Sequence, residues 1–179
     1  MMKLRYLFIS LLFAGVAAAQ QADDLFSFIP PGGRTLLEQA LADGDPSLSE
    51  SFASARTSTE WLERLSLPDS KTGAALDDWG RQTLADYLAY TGAIGAVTDL
   101  PSDGRDIMLA RCQSCHIITV TVTQARSREA WLATLGRTSH VEIPISEVER
   151  SQLADYLAVN AGLPIDVIPP ELRAGGASY

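Results

Sequence analysis

The sequence is short of the residues from which most metal and catalytic sites are built. Its 179 residues include only two cysteines and two histidines. A structural zinc site takes four ligands, so zinc would need all four of these side chains, three of which sit in one pentapeptide. With two histidines there is no Ser/His/Asp arrangement to propose, and no glycine-rich loop has the phosphate-binding form. Basic residues are scarce too, 14 Lys and Arg against 22 Asp and Glu, a net charge of −8. That balance excludes a basic patch for nucleic acid. The acidic pairs Asp77-Asp78 and Glu147 with Glu149 stand at expected helix starts, where carboxylates favour the helix dipole rather than mark a catalytic pair. Long apolar runs are also missing. Leu7 to Val16, broken by Ser10 and Gly15, is too short for a mature membrane anchor. With Lys3 and Arg5 before it and Ala17-Ala18-Ala19 after it, it reads as a secretory signal over residues 1–19. Cleavage there leaves 12 basic and 22 acidic residues, a net charge of about −10. An exported chain of this charge stays off anionic lipid and favours a partner with a basic docking patch.

What is present is Cys112-Gln113-Ser114-Cys115-His116. Cys-x-x-Cys-His is the attachment signature of a c-type haem. Two thiols three residues apart on one turn reach the two vinyl groups of one haem. The next residue supplies an imidazole, whose neutral nitrogen is a good axial iron ligand. A thioredoxin-like dithiol would need a surrounding βαβ pattern, and none is visible. A plain disulfide is the competing reading of the two thiols.

Helical periodicity and stop signals organise the rest. Gly33-Arg34 opens a helix that carries Leu36, Leu37, Ala40 and Leu41 and stops at Asp43-Gly44-Asp45-Pro46. Further helices are expected over Thr59 to Leu65, Asp77 to Tyr90, Arg105 into the motif, and Arg128 to Leu135. Ser146 and Glu149 form a capping box for the last helix, which Gly162 and Pro164 end. Ile117 to Thr123 alternates Thr with Val and reads as an extended loop or short strand. Residues 166–179, with Pro169-Pro170 and Gly175-Gly176, read as an extended C-terminal tail.

The chain also repeats itself. Ala55-Arg56, four residues and Trp61-Leu62 recur as Ala125-Arg126, four residues and Trp131-Leu132, an offset of 70. Leu84 to Ala89 is identical to Leu153 to Ala158, an offset of 69. The expectation is an all-α fold of two tandem helical units, over residues 20–95 and 96–165. No Cys or His precedes residue 112, so only the second unit carries the motif, and Gly44 to Leu48 lies where the first would have it. Trp61 and Trp131 read as core anchors.

On this motif the chain resembles the class I c-type cytochromes. Residues 128–162 are similar to the haem subunits of periplasmic dehydrogenases, in which a Trp precedes the ligand Met by seven residues and an acidic helix with Tyr-Leu follows. The resemblance implies one covalent haem c, held by Cys112, Cys115 and His116. It implies a periplasmic electron carrier, not an enzyme, working with a dehydrogenase or another redox protein. The chain departs from the pattern at the sixth iron ligand. Trp131 plus seven is Thr138, and no Met follows residue 116. His140, two residues further on, is the first candidate; Met108 and an open site are the others. An open or weakly ligated iron would suit a gas sensor or minor peroxidase instead. A third reading, an assembly subunit, adds to electron transfer rather than replacing it.

Overall fold

The computed structural model describes residues 25–45, 48, 54–92 and 100–173. The expected signal, residues 1–19, lies outside them, as do most of the connector between the two repeats and the end of the tail. Eight α-helices and no strands occur among the described residues. They are α1 (Gly33–Ala42), α2 (Ser58–Leu65), α3 (Lys71–Ala75), α4 (Asp78–Thr91), α5 (Gly104–Arg111), α6 (Thr119–Val122), α7 (Arg128–Leu135) and α8 (Glu147–Asn160). The all-α expectation is met. No described helix is long and apolar enough to cross a membrane.

Polar caps set the helix starts. Thr57 and Glu60 exchange capping-box bonds at α2, Asp103 and Asp106 at α5, and Ser146 and Glu149 at α8. Each box satisfies backbone donors that have no partner inside the helix. Gly92 ends α4 at φ 64°, in the left-handed region that glycine reaches without strain.

The buried side chains fall into two cores. One gathers Leu36, Leu37, Leu48, Trp61, Leu65, Leu84 and Leu88; the other gathers Ile107, Met108, Ile118, Val122, Trp131, Leu135, Leu153 and Leu157. The repeated blocks occupy matching places. Trp61 on α2 and Trp131 on α7 each anchor a core, and each lies under an arginine, Arg56 at 4.8 Å and Arg126 at 5.3 Å from the ring centroid. α1 packs on α4, and α5 packs on α8. Both contacts are tight at a glycine. A Cβ on Gly33 would stand 2.2 Å from Tyr87 Cβ, and one on Gly104 would stand 2.3 Å from Tyr156 Cβ.

The two halves are strapped together reciprocally. Tyr87 donates its hydroxyl to the Pro101 carbonyl at 2.8 Å, and Tyr156 donates to the Pro30 carbonyl at 2.6 Å. α4 lies against α8. Across that seam Asn160 Nδ2 donates to Thr83 Oγ1 at 2.8 Å, and the Tyr90 hydroxyl donates to Asp155. The entry segments are exchanged. Phe26, Phe28 and Ile29 pack on the second core and Leu100 on the first. The boundary drawn between 95 and 96 therefore separates the repeats but not the packing, because Phe26 to Ile29 belong to the far core.

Two local expectations are corrected. Residues 117–123 are not extended: Ile118 and Thr119 start a short helical turn, and Val122 N bonds Ile118 O at 3.1 Å. With no strand among the described residues to pair with, the turn satisfies its own backbone and buries Ile118 and Val122 four residues apart. The described part of the tail, to residue 173, is not free either. It forms 3₁₀ turns at Ile165–Val167 and Pro170–Leu172, buries Ile168 in the second core and accepts the Thr119 hydroxyl at Leu172 O.

Candidate functional site

α5 delivers the motif. Its Asp103 cap is buried, accepting from Asp106 N and Arg34 N, each at 2.9 Å. Burial pushes that carboxyl above its ordinary range. At the other end the helix tightens into a 3₁₀ turn over Cys112–Ser114. The two residues between the cysteines hold that turn. Gln113 Nε2 donates to Leu109 O at 2.9 Å and Ser114 Oγ to Arg111 O at 2.8 Å, covering carbonyls the helix leaves free.

Neither cysteine is in a disulfide. Cys112 is half-buried against the second core, and burial pushes its thiol up to about 11. Cys115 is exposed. His116 Nδ1 stands 3.3 Å from the Ile117 carbonyl oxygen. A carbonyl only accepts, so this contact places the proton on Nδ1 and leaves the Nε2 lone pair free for a metal.

All four residues singled out by the sequence, Cys112, Cys115, His116 and His140, line one cavity of about 480 Å³. That size is within the range of small-molecule and cofactor pockets. Its apolar walls include Trp131, Leu135, Ile143 and Leu157, and its charged side chains are Arg111, Arg126 and Arg137. No carboxylate is among the lining residues. Arg128, close to Arg126 in sequence, is not part of the wall; it pairs with Asp155 at the seam. Met108 is corrected as an iron-ligand candidate. It is 0% exposed inside the second core and is not among the lining residues.

His140 reaches the cavity because of how the chain leaves α7. Gly136 ends the helix, and Arg150 Nη1 donates to Leu135 O at 2.6 Å, fixing that end to α8. Successive turns follow, with His140 N to Arg137 O at 2.8 Å and Ile143 N to His140 O at 3.1 Å.

The sequence reading missed what Trp131 does. It is 3% exposed, as a core anchor should be, yet it also forms part of the cavity wall, and its indole N–H has no hydrogen-bond partner among the described residues. A buried donor left unpaired costs about 1–3 kcal/mol. Arg126 lies over the ring and donates to Thr134 Oγ1 at 2.7 Å. An unpaired donor beside a guanidinium fits a bound group that carries carboxylates. The residues present therefore fit a haem: two thiols, an imidazole with Nε2 free, an apolar wall, and cationic and N–H donors for its acid side chains.

The first half differs at the matching place, among the described residues. Trp61, Leu65 and Leu88 are fully buried. Asp45, within the segment aligned with the motif, is itself buried and accepts from Thr72 N at 2.8 Å and Thr72 Oγ1 at 2.7 Å. α3 presses so closely on the end of α2 that a Cβ on Gly73 would stand 1.6 Å from Leu65 O. Compared with protein-family models, with curated proteins and with solved structures, the chain matches none.

Proposed function

We propose that this chain is an exported monohaem c-type cytochrome that carries single electrons. In this reading it works in the periplasm as the haem subunit of a dehydrogenase, or as its electron acceptor. The observation that carries the reading is the convergence of Cys112, Cys115, His116 and His140 on one cavity. Cys112 and Cys115 would hold the haem covalently, each S–H adding across one vinyl double bond to leave a thioether. The haem, when bound, supplies an iron that gains or loses one electron. His116 would hold that iron through Nε2, in the tautomer its Ile117 carbonyl contact sets, and His140 would supply a second imidazole from the same wall. Leu135, Ile143 and Leu157 keep water from the ring, and the Trp131 N–H and Arg126 take a carboxylate. The first half, with its core closed around Trp61, buttresses the second through the α4–α8 seam. The net charge of about −10 after signal cleavage points to a redox partner with a basic docking face.

Attachment itself is the test. Expressed with a haem-attachment apparatus, the protein gains the mass of one haem and keeps it after denaturation. Cys112→Ser with Cys115→Ser abolishes that retention. A wild-type protein that matures alongside a control cytochrome and still carries no covalent haem would overturn the proposal.

A further inference from the structure

The cavity wall holds a second imidazole contact that the attachment motif does not account for. Ser139 Oγ lies 3.1 Å from His140 Nδ1. We propose that Ser139 is a positioning residue for His140: its hydroxyl accepts the Nδ1 proton, fixing the tautomer that presents Nε2 to the iron. This rests on the haem reading above.

The internal repeat shows why this serine is available. Ser139 is 69 residues after Ser70, the offset that relates the C-terminal helices of the two halves. Ser70 caps α3, accepting from Gly73 N at 3.0 Å. In the second half no helix starts at this serine. The segment continues Ser139-His140-Val141-Glu142-Ile143-Pro144, and the proline disfavours helical geometry at Ile143. With no helix to cap, the hydroxyl turns to the next side chain. Its contact with His140 is the one hydrogen bond the hydroxyl makes among the described residues.

The chemistry is general. An imidazole ligates through the nitrogen whose lone pair is free, and a bond on the other nitrogen sets which one that is. Such a partner also fixes ring orientation and raises ligand basicity; losing it costs about 10–100-fold in metal affinity. The two axial ligands are then held unequally. His116 has a carbonyl partner that can only accept. His140 has a hydroxyl, which both donates and accepts and competes with water.

The experiment compares wild type, Ser139→Ala, Ser139→Thr and His140→Ala as holoproteins. Carbon monoxide reaches a six-coordinate ferrous iron only when His140 leaves, so its binding rate reads the strength of that bond. Ser139→Ala is expected to speed binding about tenfold. Ser139→Thr, which keeps the hydroxyl, restores the wild-type rate. If Ser139→Ala matches wild type in rate while His140→Ala becomes high-spin, Ser139 has no positioning role and the haem reading stands. If His140→Ala stays low-spin, the proposal fails because His140 is not the ligand. Nitrogen-15 spectra of the apoprotein give a check that needs no haem. Wild type should show His140 as the Nδ1–H tautomer and Ser139→Ala a mixture; identical spectra would overturn the assignment.

Discussion

His140→Ala is expected to convert a low-spin haem that carbon monoxide reaches only slowly into a high-spin haem that binds it at once. In the proposed reading, His116 takes one axial site through the attachment motif. No methionine follows residue 116, and Met108 is packed inside the second core away from the cavity wall. His140 is the other imidazole on that wall. Its removal leaves no imidazole or thioether to replace it. Axial methionine raises the haem potential relative to histidine, so the wild-type protein should lie on the low side for a c-type cytochrome. Optical and resonance Raman spectra of the ferric and ferrous variant decide the matter. Unchanged spectra would place another ligand on the iron.

The second large effect is on stability, and it separates the two halves. Trp61 is 0% exposed in the first core, away from the wall that Cys112, Cys115, His116 and His140 share. Trp61→Ala should therefore cost about 3–5 kcal/mol. At roughly 2–4 °C per kcal/mol for a chain of this size, that lowers the melting temperature by about 6–20 °C. The haem spectrum of the folded variant should not change. Trp131→Ala removes a similar volume but also part of the cavity wall and its unpaired N–H. It should destabilise and also perturb the Soret band. Melting followed in the far ultraviolet and at the Soret band distinguishes the two. A Soret change in folded Trp61→Ala would show that the first half shapes the haem site directly.

The contrast between these two tryptophans also marks what the sequence makes legible. Helix starts were readable because their causes are local. The Ser146 and Glu149 box forms as written, with Ser146 N to Glu149 Oε2 at 2.7 Å and Glu149 N to Ser146 Oγ at 3.2 Å. The motif was readable because attachment chemistry fixes its spacing. Residues 117–123 misled because Thr-Val alternation has the period of a strand; without a neighbouring strand, the backbone closed into a turn instead. α3 was missed because five residues around Gly73 carry little periodicity. It forms because Ser70 caps it and the glycine lets it lie against Leu65. The exchange of Phe26 to Ile29 onto the far core rests on contacts between distant residues, such as Arg105 Nη2 to Phe26 O at 3.1 Å, which no local pattern records. The dual role of Trp131 was hidden for a similar reason. A buried tryptophan and a wall tryptophan look alike until the volume beside each is known.

The absorption spectrum of the purified, dithionite-reduced protein, taken with and without carbon monoxide, tests the central claim most directly. A low-spin c-type spectrum that carbon monoxide leaves unchanged on mixing is the predicted result: one attached haem with both axial positions filled by the protein. A high-spin spectrum that shifts at once would contradict it. That result would leave His140 off the iron and turn the cavity into a site for a small ligand.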